Sequence, residues 1–386
     1  MKESIYVQYT NPGGYPPLEH SSDVLLAMGL KTTFLGVVIK SLRGLDFPQV
    51  EGREVRLLPW VEPGVRRKLL YLVFLAWTTA VCLWRRPALV YCSDTYSCPT
   101  ALLLSVLGLN VVYHEHDAPA PDGNRLHRAV LACRRRVLRR VSTLVPSDGR
   151  RSLVLHEGAR DVHVVWNCPS RVEVSALSGA AASGTYAPLR IVYQGTIVPD
   201  RVPPNLVRAM VRDDLKGRVE LKIIGYETES GAGLLEALFG IADGSGCPGA
   251  VEFLGPLSRH EMLRVGARFD VGLSLMPIES DDANMTTMIG ASNKPFDYMA
   301  QGLPMICSEL ADWQETFADH AVFCDPRSVE SIAAALTVLL ERRSYWSAIG
   351  IKGQGVIASR WNYESLFTEH GLPATGIAPV RAEPAG

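Results

Sequence analysis

The segment GASNKPFDYMAQGLPMICSEL (290–310) brings a small-residue loop, a lysine and an acid together within eight positions. Gly290, Ser292 and Asn293 read as a loop opening a helix near Pro295, which ends at Gly302 and feeds an apolar strand. Unpaired N–H groups at such a helix start attract phosphate, and a proline in the first turn costs little because its missing donor would be unused. Lys294 adds a full positive charge at the same place. Asp297 could accept hydrogen bonds from ribose hydroxyls; it could equally do no more than complement the helix dipole, with Lys294 solvated. A second constellation, YQGTIVPDRVPPNLVRAM (193–210), runs from an apolar strand through Gly195 to a loop with Arg201, ahead of a helix at Pro203–Pro204. An arginine at a strand-to-helix turn can hold a pyrophosphate through its forked donors. A surface arginine is the plain alternative.

Nearer the start, the apolar run 5–10 leads into Asn11-Pro12-Gly13-Gly14. Paired glycines can adopt positive φ and let backbone approach a ligand, although an ordinary turn uses the same residues. The run 110–116 ends in His114-Glu115-His116-Asp117. Alternate residues of a strand share a face, which invites a metal, but no third ligand stands nearby and no metal site is expected. Asp94, in YCSDTYSCP, either lines a pocket or caps the next helix.

These residues sit at the ends of short β-branched runs that alternate with helical patterns. One set of runs covers 5–10, 32–38, 54–60, 88–93, 110–116, 142–147 and 162–167; a second covers 189–195, 219–225, 250–255, 271–277, 303–308 and 321–325. Near-continuous apolar strands separated by helices belong to parallel sheets buried on both faces. The expected architecture is α/β: two doubly wound, Rossmann-like parallel-sheet domains that present their strand C-termini to a cleft. The chain is divided as residues 1–172, an Ala/Ser/Gly-rich linker at 173–188, a second domain at 189–360, a C-terminal helix at 361–370 and a tail at 371–386 expected to be disordered. A length of 386 residues suits two domains.

The stretch N-K-P-F-D-Y-M-A-Q-G-L-P-M-I (293–306) resembles the N-K-L-F-E-Y-M-A-A-G-L-P-V-I pattern of GT-B glycosyltransferases, specifically retaining family 4 (group 1). The likeness extends over nearly the whole chain, including the NPGG and EHD turns. The resemblance implies an N-terminal acceptor domain and a C-terminal nucleotide-sugar domain. It implies that Asp297 binds the donor ribose, that the 290–293 loop, with Gly290, Ser292 and Asn293, cradles the phosphates, and that Arg201 and Lys294 neutralise them. Gly13, Gly14 and Gly195 would also approach the donor. His116 would stand near the transferred sugar, orienting it, while Asp94 and Asp117 would border the acceptor pocket. Two departures matter. The family's first acid, separated from the second by seven intervening residues, would fall at 289, where this chain has Ile289; Glu279, Asp281 and Asp282 are the nearby acids that could replace it. At Thr196 the family often has a second phosphate-binding arginine.

Net charge is −1, which excludes a uniformly basic nucleic-acid binder, and no nucleic-acid partner is expected. Residues 1–172 hold 22 basic and 14 acidic residues (+8), and the remainder 17 and 26 (−9), so one surface of the front half is aimed at anions. The eight cysteines form no C-x-x-C pair, which fits free thiols in a reducing compartment. The first residues lack a signal-peptide pattern, so a cytoplasmic location, peripheral at the inner face of the cell membrane, is expected. Two segments carry that peripheral reading. Residues 69–84 are uncharged and flanked by Arg66, Arg67, Lys68, Arg85 and Arg86. Sixteen residues fall short of the ~20 needed to span a bilayer, leaving a core helix or a shallow membrane helix. RLHRAVLACRRRVLRRV (125–141) puts Leu126, Val130, Cys133, Val137 and Val141 on one face and Arg128, Arg135, Arg136, Arg139 and Arg140 on the others. That face is either simply solvated or rests on anionic lipid.

The expected activity is transfer of a sugar from a nucleotide-sugar to an acceptor hydroxyl of a glycolipid or polysaccharide precursor, lipid-linked or saccharide, in cell-envelope assembly. The anomeric configuration would be retained, with no metal and no cofactor beyond the nucleotide-sugar co-substrate. A nucleotide-sugar epimerase of the same fold and a non-catalytic nucleotide-sugar-binding subunit are the rivals. A dehydrogenase is disfavoured because neither sheet opens with G-x-G-x-x-G.

Overall fold

A computed structural model describes residues 2–39, 47, 49–120, 123–177 and 188–378. The chain divides into two compact units, one comprising Met1–Asn167 with Tyr363–Gly386 and the other Cys168–Asn362.

The first unit contains β1 (Glu3–Val7), β2 (Lys31–Val37), β3 (Arg53–Leu58), β4 (Leu89–Ser93), β5 (Val111–His114), β6 (Ser142–Val145) and β7 (Val162–Val164), in the order β3-β2-β1-β4-β5-β6-β7. Every pair is parallel. The central strands are apolar on both faces because helices cover both, and β1, β4 and β5 are almost wholly buried. At the edge, β3 is largely exposed and carries Arg53, Glu54 and Arg56, charges that discourage edge-to-edge pairing. On one side Val130, Val137 and Leu138 of the helix Arg125–Leu138 join the core; on the other Tyr6, Phe34 and Tyr91 stack centrally.

The second unit contains β8 (Leu189–Ile197), β9 (Val219–Glu227), β10 (Val251–Gly255), β11 (Val271–Ser274), β12 (Met305–Ser308) and β13 (Ala321–Cys324), again all parallel, in the order β10-β9-β8-β11-β12-β13. All thirteen runs read from the sequence are therefore strands, seven and six to a sheet.

Three expected boundaries differ. The first unit's leading segment ends at Asn167, five residues before the expected 172. Residues 171–176, which span the end of the expected first domain and the start of the expected linker, form a helix whose Ser170 cap and Glu173 exchange hydrogen bonds as a capping box. The rest of that linker, 178–187, lies outside the described residues. The terminal segment continues in helical turns through Thr375, with Tyr363, Phe367 and Leu372 in the first unit's core and Asn110 donating to the Thr375 carbonyl at 2.8 Å. Buried apolar side chains at 363, 367 and 372 keep this segment ordered where disorder was expected from 371 onward; residues 379–386 lie outside the described residues. All eight cysteines are free.

Candidate active site

Strand order in the second sheet reverses between β8 and β11, and open α/β sheets take ligands outside the strand C-termini at such a point. On the other side of β8, Gly195 (φ +124°) and Gly225 (φ +153°) face each other across β8 and β9 near the C-terminal ends of both strands. A β-carbon on Gly225 would meet the Gly195 carbonyl oxygen at 1.8 Å, so glycine is required. A β-carbon on Gly195 would lie 3.0 Å from Lys294 Cε and 3.2 Å from Nζ, which puts the lysine stem across the strand end.

Lys294 is held by the helix Asn293–Ala300, and Tyr298 anchors that helix to the sheet. The Tyr298 hydroxyl accepts from the Gln194 amide and donates to the Leu273 carbonyl, both at 3.0 Å. The helix starts two residues before the expected Pro295. Gly290 has φ +83°, and the amides of Ala291 and Ser292 both donate to the Met288 carbonyl. Those two amides are therefore not available to a ligand, which corrects the expectation for the 290–293 loop. The first-turn amides of Asn293 and Lys294 remain, because a helix offers its first N–H groups no internal acceptor. The Ser292 Oγ is buried there without a hydrogen-bond partner.

Arg201 and Lys294 are both half-buried, and among the described residues neither forms an ion pair with a carboxylate. The Arg201 guanidinium instead directs its N–H groups at the sulfurs of Met276 and Met285. Burial lowers the pKa of Lys294 to about 7, and the neighbouring Arg201 charge pushes it the same way against Asp297. Burial also lowers that of Arg201. Cations held out of water without a counter-charge are costly. An anion placed between the two would offset that cost.

Asp297 is buried, and its two carboxylate oxygens accept from Arg259 Nη1 at 3.1 Å and Nη2 at 2.9 Å. Arg259 also donates to Glu173, through Nε at 2.6 Å and Nη2 at 3.2 Å. The dipole-only alternative for Asp297 is therefore incomplete: the acid is clamped laterally by an arginine. Nothing in the local sequence marks Arg259 or Glu173, because the three residues come from segments 86 and 38 positions apart. Of the acids considered for the place taken by Ile289, exposed Glu279 pairs with Arg327 at 3.3 Å, and Asp282 accepts from the Asn284 amide at 2.9 Å. Asp281 is exposed.

The first sheet reverses between β1 and β4. Asp94, at the end of β4, has φ +83°, a strained value for a non-glycine residue of the kind that gathers at functional sites. Its Oδ1 accepts from the Ser97 amide at 2.8 Å and its Oδ2 from the Tyr9 amide at 2.6 Å, so it caps one turn and ties the exit of β1 to that of β4. Burial raises its pKa to about 7. Pro12–Gly14 is a 3₁₀ turn in which Asn11 Oδ1 accepts from the Gly13 amide at 3.1 Å. Gly13 and Gly14 are thus held in a right-handed turn by the asparagine, which is the ordinary-turn alternative and not the positive-φ one.

His116 lies beyond β5, its Nε2 2.7 Å from Ser93 Oγ and its ring 5.5 Å from that of Tyr15 and 3.9 Å from that of His114. Burial lowers its pKa to about 4. His114 bonds Tyr91 through Nδ1 at 2.7 Å and is fully buried. Between them, Glu115 turns the other way and is buried against Arg134, which donates to Glu115 and Glu157. Asp117 is exposed. Among the described residues no three His, Cys, Asp or Glu side chains gather as a metal site.

Residues 24–170 match a family model described as a glycosyl transferase 4-like domain. The match ends three residues into the second unit. It includes Asp94, His116 and Asp117. No curated protein sequence matches the chain. Among solved structures, HepE from Anabaena in complex with UDP and glucose has a TM-score of 0.69 at 14% identity, covering 98% of this chain and 100% of that one. Sucrose-phosphate synthase from Thermosynechococcus elongatus has a TM-score of 0.67 at 14% identity over 96% and 97%. The trehalose-6-phosphate structure from E. coli bound with UDP-2-fluoro glucose has a TM-score of 0.67 at 13% identity over 98% and 100%. The chain has the GT-B glycosyltransferase fold. A parallel-sheet pair of this kind was expected from the strand pattern, and the glycosyltransferase likeness from the 293–306 motif.

Proposed function

We propose that the protein is a glycosyltransferase that moves a sugar from a UDP-linked donor, bound by the second unit, to an acceptor hydroxyl with retention of configuration and without a metal ion. One observation carries the reading: Arg201 and Lys294 converge at the β8/β11 switch point, and among the described residues neither is in ion-pair contact with a carboxylate. A nucleoside diphosphate supplies the missing charge, and two structural neighbours were solved with UDP or a UDP-sugar.

As the bond between the anomeric carbon and the diphosphate oxygen breaks, negative charge grows on the leaving group. Fixed cations and first-turn amides stabilise that charge where it develops, and such preorganised stabilisation usually contributes most to the rate. The acceptor oxygen forms the new bond on the same face, and its proton passes to the departing phosphate oxygen. His116 is assigned a hydrogen-bonding role and not that of a base, because an imidazole with a pKa near 4 has little affinity for a proton at neutral pH. The acceptor is assigned to the first unit, as a glycolipid or polysaccharide precursor.

Thermal-shift titration with UDP, GDP and ADP tests the donor site, since a ligand that binds only the folded state raises the melting temperature. UDP should give the largest shift, and absence of any nucleotide shift overturns the reading. With UDP-sugars, interconversion without an acceptor would identify an epimerase, and binding without turnover a binding subunit.

A further inference from the structure

The helix Val65–Arg85 has two unlike stripes. Tyr71, Phe74, Thr78 and Cys82 are buried, at the spacing of one helix face. The opposite stripe, Leu69, Leu72, Val73, Leu83 and Trp84, is exposed, with Trp84 80% accessible. No charged residue lies between Lys68 and Arg85. The helix Cys98–Val106 packs against the first through Thr78 and Thr100, their hydroxyls 3.2 Å apart. That second helix exposes Leu103 and Val106, and Leu107 follows. Scattered exposed apolar residues are normal on a soluble protein, but a contiguous stripe of this size marks an interaction site.

The charges around the stripe identify the partner. Between Glu62 and Glu115 the only acid is Asp94, and both its carboxylate oxygens already accept backbone N–H groups. Exposed Arg66 and Lys68 stand at one end of the stripe and Arg86 at the other. The arginine-rich helix adjoins it, because Arg140 donates to the Ser105 carbonyl at 3.2 Å, and it leaves Arg128, Arg135, Arg136, Arg139 and Arg140 exposed. A second copy of this chain would set one basic rim against another. An anionic bilayer instead neutralises the rim while its acyl boundary takes the apolar stripe.

We infer that the exposed faces of the helices Val65–Arg85 and Cys98–Val106, with the rim of arginines beside them, dock the protein in the plane of an anionic lipid bilayer without crossing it. The helix is long and apolar enough to cross. Its inner stripe prevents that: the Tyr71 hydroxyl donates to the Tyr96 carbonyl at 2.9 Å, and Phe74 and Cys82 lie in the core of the sheet, so crossing would require tearing the helix from its own domain. Trp84 at the end of the stripe suits the headgroup level, where tryptophan is enriched.

Co-sedimentation of the full chain with vesicles of phosphatidylcholine alone, or with about 30% phosphatidylglycerol added, tests the inference. Binding should require the anionic lipid and fall steeply as salt shortens the Debye length from about 8 Å. Leu72→Asn with Trp84→Asn, and separately Arg135→Gln with Arg136→Gln and Arg139→Gln, should each weaken binding at least about tenfold. Their melting temperatures should be unchanged, because all five side chains are exposed. Equal binding to neutral and anionic vesicles, binding to neither, or release by detergent alone overturns the inference. So does a salt-resistant dimer, formed without lipid and lost in the Leu72/Trp84 variant.

Discussion

Lys294 lies across Gly195 so closely that a β-carbon at 195 would stand 3.2 Å from the lysine Nζ. A lysine packed over a strand end, 5.7 Å from the Tyr193 ring centroid and beside Arg201, has lost much of its water without gaining an ion-pair contact. Both its titration and its stability cost follow from that position.

The pKa of Lys294, about 7 in the folded state against 10.5 for a free lysine, makes nucleotide binding proton-linked. Arg201 and burial oppose its charge, and Asp297 favours it. A diphosphate arriving between the two cations raises the pKa again. At pH 8, UDP binding should therefore take up a proton, and affinity should fall as pH rises above 7. Calorimetry in two buffers of different ionisation enthalpy measures the uptake; zero uptake at pH 8 removes Lys294 from the diphosphate site.

The same shift affects the ligand-free protein. Between pH 10.5 and 7 the unfolded chain binds a proton at Lys294 that the folded chain does not, so this group's penalty grows as pH falls through that window and is constant below it. Lys294→Met should raise the melting temperature of the free protein at pH 7 and abolish the stabilisation given by UDP. Arg201→Ala should lower turnover more than tenfold, since loss of a preformed charge donor costs about 2–4 kcal/mol in the transition state. Transfer at the wild-type rate in Arg201→Ala would place that arginine outside the site.

The paired glycines give a graded test. In Gly195→Ala the new methyl meets the flexible end of Lys294, whereas in Gly225→Ala it meets the backbone oxygen of Gly195. Both positions also have positive φ, which costs roughly 1–3 kcal/mol for other residues. Gly225→Ala should therefore be the more destabilising in chemical denaturation, and Gly195→Ala should weaken UDP binding out of proportion to its loss of stability. The reverse order of stabilities would mean that the close approach of β8 and β9 is misjudged.

How much of this was legible in the sequence depended on the range of the contact. Runs such as ALVYCS and LPMICS announced buried parallel strands because burial on both faces leaves an uninterrupted apolar string. Lys294 and Arg201 stood out because each follows a strand end at a loop-to-helix turn. Arg259 did not, since its partners Glu173 and Asp297 come from distant segments and an arginine at a helix start has no local signature. Gly13 and Gly14 left two alternatives open for a related reason: the doublet permits positive φ as well as an ordinary turn, and the Asn11 side chain selects the 3₁₀ turn. The terminal segment beyond 363 looked weakly patterned because it contributes a few large side chains to a core formed 200 or more residues earlier, around Tyr6, Phe34 and Tyr91.

The Arg259 clamp separates two roles for Asp297. Arg259→Met would leave two buried carboxylates without the counter-charge they share, and removing one partner from a buried ion pair costs about 3–5 kcal/mol, seen as a large fall in denaturation midpoint. Asp297→Asn keeps a hydrogen-bond acceptor beside Arg259. If Asp297 also holds a ribose, that variant should lose about 1.5–3 kcal/mol of UDP affinity, the contribution of a hydrogen bond to a charged group. Unchanged UDP affinity in a destabilised Asp297→Asn protein would assign the acid to the clamp alone.

His116 provides the acid-side counterpart of Lys294. Its pKa of about 4 lies below the 6.5 of a free histidine, because burial disfavours the imidazolium. His114 beside it is lowered too, by its own burial and then by the charge of His116. As pH falls below 6.5, the unfolded chain takes up protons that the folded chain refuses, so stability from both residues is intact above 6.5 and falls below it, that from His116 being lost between 6.5 and 4. His116→Gln should flatten the fall of melting temperature between pH 6.5 and 4, because glutamine does not titrate. It can still meet Ser93 Oγ, 2.7 Å from Nε2 in the native protein. If the role in transfer is hydrogen bonding, His116→Gln should retain more turnover than His116→Phe, and the wild-type rate should show no titration near 6.5. Equal loss in both variants, together with a rate that rises through pH 6.5, would instead make His116 a base.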